Sequence, residues 1–217
     1  MSTHPTSSRL DTSGPDTRRE SVERRILEGA QALIDGGLSW HQLGIRQITE
    51  RAEISRTAFY DFFGSKNEVL EHLIRGLYDD LMVNLREVFD PASAGRFDLR
   101  HLRPGLAAVD AYARRHGFAY RAFLDATGED AHLAELWGEL LEAYVVLIAD
   151  AIEAIRTEQP TAPRVVDART LSRTLLLMTE RCLIADPSGD RDRDAAVVAV
   201  VDIWERSVFG ARLPADA

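Results

Sequence analysis

Apolar residues recur along this chain at intervals of three and four, the spacing of one helix face, and no stretch alternates as a strand does. The pattern predicts an all-α protein of about nine helices. A first helix spans about Glu20 to Asp35, with Val22, Ile26, Ala30 and Leu33 as its stripe, and Gly36-Gly37 ends it as a C-terminal cap. A short second helix, about Ile45 to Ala52, buries Ile45, Ile48 and Ala52. A short third runs from Ser55, a natural N-cap, to about Phe63. After Gly64, Ser65 can cap a long fourth helix with the stripe Val69, Leu70, Leu73, Leu77, Leu81, Leu85 and Val88.

Beyond Pro91 the chain loosens through "PASAGRFDLR", and Pro104 suits a first helical turn. Helices are then expected at roughly 104–115, 117–126 and 130–157. "TEQPTAPRVV" reads as a linker before two last helices, about 167–185 and 191–209, which "DPSGDRD" separates.

The totals change this picture little. The chain has 217 residues, 45% hydrophobic and 28% charged, as in ordinary globular proteins. Residues 1–17 are polar, read as a disordered tail, and show no secretory leader. The best apolar run, "AYVVLIADAI", is cut by Asp150, so no membrane span is expected. A single cysteine, Cys182, fits a reducing cytoplasm. The net charge of −9 argues against nucleic acid until it is mapped. Up to residue 70 there are nine basic and ten acidic groups; the other 17 basic and 25 acidic groups follow. The acid therefore lies mostly in the later part, which permits a basic face at the front.

Two short helices after a longer one are the makings of a helix-turn-helix. Its second helix must offer polar side chains outward at its start and lock its other face onto its neighbours. "SRTAFYDFFGSKNEV" meets both demands. Arg56 and Thr57 stand at the exposed start, while Phe59, Phe62 and Phe63 are spaced for the core. Tyr60 faces away from Phe62, where its phenol can reach a phosphate. Lys66, the only lysine in the chain, sits at the first turn of the next helix, where its ammonium and the helix amides can hold a second phosphate. Arg18, Arg19, Arg24 and Arg25 fit a backbone-binding arm or an ordinary solvated face equally well.

With these residues in place, "IRQITERAEISRTAFYDFFGSKNEVLEHLI" resembles the DNA-binding segment of the TetR family of bacterial regulators. The resemblance implies a DNA-binding domain over residues 18–64 and a ligand-binding and dimerisation domain over 65–217. It implies DNA contacts from Arg46, Ser55, Arg56, Thr57, Tyr60 and Lys66. Two positions depart from the pattern. Glu53 stands where the turn usually has glycine in a left-handed backbone, at a cost of ~1 kcal/mol. Asp61 lies in the recognition helix where a carboxylate opposes phosphates.

The later sequence is similar to the EthR-type subgroup, in which a mostly apolar channel runs through the body. That likeness implies a ligand lining of Trp137, Tyr144, Thr179 and Trp204, with Leu102, Val109, Ala113, Ile148 and Leu176 around them. Glu180-Arg181 is either a satisfied ion pair or a polar end of the pocket, with structure the favoured reading. The last two helices present Leu171, Leu175, Met178 and Cys182 on one stripe and Val197, Val201, Trp204 and Val208 on another. Leu171, Leu175, Val197, Val201 and Val208 are the expected contacts of a homodimer.

Enzyme chemistry finds no footing: the six histidines are scattered, and no zinc, P-loop, dinucleotide or nucleophile-elbow motif is present. No metal or cofactor is expected. The reading is a regulator, expected to be a repressor, that binds near-palindromic double-stranded DNA as a homodimer and answers to a small apolar ligand. A helical apolar-ligand carrier or enzyme without a DNA role is the alternative, and it would not need the Ser55–Lys66 pattern.

Overall fold

The computed structural model describes residues 15–89, 99–184 and 193–210. Every regular element among them is helical. In chain order they are α1 (Pro15–Asp35), α2 (Ile45–Ala52), α3 (Arg56–Tyr60), α4 (Lys66–Phe89), α5 (Leu99–Thr127), α6 (Ala131–Glu158) and α7 (Ala168–Thr179). A π-helical turn (Glu180–Ile184) follows directly, and α8 (Arg193–Phe209) ends the series. No helix among the described residues is long and apolar enough to cross a membrane.

Among the described residues eight α-helices stand where about nine were expected, because the two pieces drawn at 104–115 and 117–126 are one helix, α5. Gly117 costs only about 1 kcal/mol relative to alanine inside a helix, and burial on both sides of it outweighs that. Leu106, Val109, Ala119, Ala122 and Phe123 are all buried along α5. α1 begins five residues before the expected Glu20. The stretches 1–14, 90–98 and 185–192, which include most of the expected tail and both loosened connections, lie outside the described residues.

The ends of the short helices are set by local chemistry. α1 closes in a Schellman motif: the Leu38 amide donates to Leu33 and the Gly37 amide to Ile34, with Gly37 left-handed at φ 88°. α2 closes the same way, but Glu53 takes the left-handed position at φ 53°, ψ 47°. Its amide donates to Glu50 and the following Ile54 amide to Thr49. The strain that the sequence implies for Glu53 is therefore present. Arg25 of α1 offsets it by donating Nη2 to the Glu53 carbonyl at 2.9 Å. α1 and α2 also lie close at Gly29, where a Cβ would stand 3.3 Å from the Ala52 amide nitrogen.

Two apolar cores organise the fold. The first joins Ile26, Ala30 and Ile34 of α1, Ile48 of α2, Phe59 and Phe63, and Val69, Leu70 and Ile74 of α4. It runs on into Phe123 of α5 and Leu133 and Leu136 of α6, so it does not stop at residue 64. The second gathers α5 to α8 around Leu106, Ile148, Ile152, Leu175, Val200 and Trp204. Tyr78 of α4 packs against both. The linker after α6 is ordered by buried Arg156, which donates to the carbonyls of Pro163 (3.0 Å) and Val166 (2.8 Å).

Replacing Glu53 by glycine keeps the Arg25 bond, which uses the backbone carbonyl, and removes the left-handed penalty. The expected result is a gain of ~1 kcal/mol, read as a rise of a few degrees in the thermal midpoint. An unchanged or lowered midpoint would mean that the Glu53 side chain itself stabilises the turn.

Candidate nucleic-acid interface and ligand cavity

α2 and α3 form the expected helix-turn-helix. The Ser55 hydroxyl caps α3 by accepting from the Ala58 amide at 3.0 Å. Phe59 and Phe63 are fully buried and Phe62 partly so, which fixes the opposite face of α3 outward. Ser55, Arg56, Thr57 and Tyr60 are exposed on that face. Tyr60 keeps 46% of its surface open, braced edge-on against Phe59 at a centroid distance of 5.5 Å. The Arg56 guanidinium lies over the Tyr60 ring at 5.7 Å and donates to its hydroxyl at 3.2 Å. Arg46 is exposed on α2, with Nε on Glu50 at 2.7 Å. Asp61 is exposed just past α3 and makes no ion pair among the described residues.

Three of the four early arginines have described side chains, and each meets a different partner. Arg25 is bound to Glu53, Arg24 lies 3.7 Å from Glu28, and Arg19 sits 5.3 Å over the Phe62 ring. Arg18 lies among residues whose side chains are not described.

Lys66 and Asn67 open α4 and hold the face in position. Ser65 caps the helix, accepting from the Glu68 amide at 3.2 Å, and Glu68 reaches back to the Gly64 amide at 2.7 Å. The Lys66 ammonium donates to the carbonyls of Trp40 (2.7 Å) and Leu43 (3.0 Å) and lies 5.1 Å over the Trp40 ring. Two of its three N–H groups thus hold the turn before α2, a role the sequence reading missed. Burial lowers its pKa from the ordinary lysine value. Asn67 accepts from the Trp40 indole at 3.1 Å and donates to Asp130 at 2.7 Å. Asp130 caps α6 through the amides of His132 and Leu133. The Asn67 bond, with those amides, holds its carboxyl below the ordinary aspartate value.

A narrow cavity of about 80 Å³ lies in the body. One wall is a single face of α4: Ile74, Leu77, Tyr78, Leu81 and Leu85. Of the expected lining, Val109, Trp137, Tyr144, Ile148, Leu176, Thr179 and Trp204 are present. Leu102 and Ala113 are not. Leu102 is wholly buried in the second core, beyond Leu106, and the short Ala113 side chain leaves the α5 wall to Tyr112 and His116. The sequence reading missed Tyr78 and Tyr120, and Glu180 takes the less favoured of its two expected roles, a polar end of the pocket. For Tyr78 the signal was available in the α4 spacing 74-77-78-81-85, which reads as core when no cavity is in view.

The polar atoms of the lining are mostly engaged. Tyr112 donates to the Leu77 carbonyl at 2.5 Å and Tyr144 to the Tyr78 carbonyl at 3.4 Å, so both phenols reach the backbone of α4. Burial pushes the pKa of both well up. The Trp204 indole donates to the Thr179 hydroxyl at 2.9 Å, and that hydroxyl donates to Leu175 at 2.8 Å. Burial lowers the pKa of His116 and raises that of Glu180. The Glu180 carboxylate forms no ion pair among the described residues, while Arg181 turns outward. The favoured reading of that pair as a closed ion pair is therefore corrected: the π turn points the acid at the cavity and the base at solvent.

Two of the five expected dimer contacts, Leu175 and Val208, lie inside the body. Leu175 and Val208 are each only 2% exposed within one protomer, so they have almost no surface left to bury. Both are used by the second core. Leu171, Val197 and Val201 are partly buried against it, and the apolar positions left exposed on α7 and α8 are Leu177, Val198 and Ile203.

A helix-turn-helix carried on a helical body is the architecture of a DNA-binding regulator. The model for bacterial regulatory proteins of the tetR family matches residues 26–73, and that for the C-terminal domain of the transcriptional regulator EthR matches 102–210. The chain belongs to the TetR family of transcriptional regulators, with an EthR-type body. It is 30% identical to the transcriptional regulator EthR of Mycobacterium tuberculosis over 205 residues, 91% of this chain and 93% of that one. Among solved structures, a regulator from Saccharomonospora viridis in complex with choline matches with a TM-score of 0.65 at 18% identity, over 87% of this chain and 98% of that one. Thermus thermophilus FadR in complex with lauroyl-CoA matches with a TM-score of 0.56 at 20% identity, over 91% and 98%.

Lys66→Ala leaves the Trp40 and Leu43 carbonyls to water. Stability is expected to fall by about 1 kcal/mol in chemical or thermal unfolding, whether or not DNA is present. A midpoint equal to wild type would show that the ammonium does not hold this turn.

Proposed function

We propose that this protein is a repressor that binds a near-palindromic operator as a homodimer and leaves it when a small, largely apolar molecule fills the body cavity. Residues 18–64 form the reading head and 65–217 the ligand-binding and dimerisation part. Arg56 and Thr57 read base edges, while Arg46, Ser55, Tyr60 and the remaining N–H of Lys66 contact the backbone. The observation that carries the reading is the double use of α4. Its first turn is fastened to the head by Lys66 and Asn67, and its next turns form a cavity wall. A ligand that favours one tilt of α4 changes the spacing of two recognition helices, by no more than its differential affinity for the two arrangements. The ligand complexes of the two structural neighbours support a body that accommodates small molecules.

The tyrosine bonds to α4 give this coupling a handle. A compound shown by thermal shift to occupy the cavity should weaken operator binding. Tyr112→Phe should keep ligand-free DNA affinity within about two-fold while reducing that release, because it cuts the bond to Leu77 without emptying the wall. Unchanged DNA affinity with the cavity filled would defeat the repressor-release reading.

Tyr60→Phe should weaken binding to all DNA sequences alike and leave the salt slope unchanged, because the lost phosphate contact carries no charge. It should leave thermal stability unaltered. For assembly, the exposed apolar edge of α7 and α8 is the contact. Ile203→Glu is expected to yield monomers in sedimentation, since an exposed side chain disturbs no protomer core. A dimer that persists would place the interface elsewhere.

A further inference from the structure

The cavity is apolar in shape but not in charge. Four of the five tyrosines in the chain and two of the three tryptophans line it. Their ring faces carry partial negative charge. No lysine or arginine is among the lining residues. His116 is stacked on Tyr112 at 4.5 Å, and burial favours its neutral form. Against this wall stands one carboxylate, Glu180, half-buried and without a hydrogen bond or ion pair among the described residues. Its neighbour Arg181 is exposed, and the nearby Arg121 is engaged with the Ile184 carbonyl at 3.4 Å and the Phe118 ring at 4.6 Å. The fold does not choose the sign of the ligand, since one structural neighbour holds choline and the other lauroyl-CoA. The lining must.

We infer that the natural ligand carries a cationic nitrogen on an apolar body, with the nitrogen seated between the Glu180 carboxylate and the aromatic rings. The inference rests on the cavity being a ligand site, as proposed above. A half-buried carboxylate that only the charge of exposed Arg181 offsets is costly, and a cation entering beside it supplies a closer charge while the ring faces add cation–π attraction. An anionic head would meet Glu180, and no basic side chain is among the described lining residues to answer it. The Thr179 hydroxyl and Trp204 indole are already bonded to each other, which leaves Glu180 as the one carboxylate among neutral polar groups such as Tyr120 and His116 in the described lining.

Three probes of one shape test this: 4-phenylbutylamine, 4-phenylbutanol and 4-phenylbutyrate, titrated into the full chain. Calorimetry and the fluorescence of Trp137 and Trp204 report binding. The amine is expected to bind at least about ten-fold more tightly than the alcohol, and the acid more weakly than either. In Glu180→Gln the amine should fall to about the affinity of the alcohol, and the alcohol should change little. Equal affinities for the three heads in wild type, or an amine preference that survives Glu180→Gln, overturns the cation inference while leaving a ligand cavity. Binding by none of the three removes the cavity reading as well. The wild-type comparison stands alone if the glutamine variant does not fold.

Discussion

The side chain of Asn67 ties the molecule together. Its carbonyl accepts from Trp40, in the turn that leads into the helix-turn-helix, and its amide donates to Asp130, the cap of α6. Beside it, Lys66 fastens the Trp40 and Leu43 carbonyls of the same turn. Two consecutive residues therefore fix where the head sits on the body. Polar bonds suit this task because they fix direction and distance, whereas apolar contact alone would let the head slide. The proposed release from DNA passes through this joint.

The apolar cores build on it. The first core does not separate a head from a body, since α4, α5 and α6 all enter it. The second closes α5 to α8. Tyr78 touches both, and the cavity lies along the same face of α4. The cavity therefore lies at the meeting of the two cores, against the element they share. The phenols of Tyr112 and Tyr144 reinforce that position, because each joins the wall to a main-chain carbonyl of α4.

Local features proved legible from residues alone. Gly36-Gly37 ends α1 as expected, Ser55 and Ser65 cap their helices, and Glu53 occupies the left-handed position that the motif requires. These depend on one turn of chain and on hydrogen bonds within a few residues. Arg25 could not be foreseen as the partner of Glu53, because the two are 28 residues apart and meet only when α1 packs on α2. The same holds for Lys66. A motif named it as a phosphate contact, yet its bonds to carbonyls more than twenty positions away exist only in the folded chain.

The amino-acid sequence by itself determined the helices, the helix-turn-helix and the division of its aromatic residues, since these follow from periodicity and from the chemistry of short spacings. It also marked seven of the nine expected cavity residues. Tertiary structure decided the rest. It joined two expected helices through Gly117, withdrew Leu175 and Val208 from the expected dimer face, and turned Glu180 toward an aromatic wall while Arg181 faced outward. A helical stripe says which residues are buried, but not whether they meet a neighbouring helix, a second protomer or an open cavity. That choice is made by how several helices pack at once, and no local pattern encodes it.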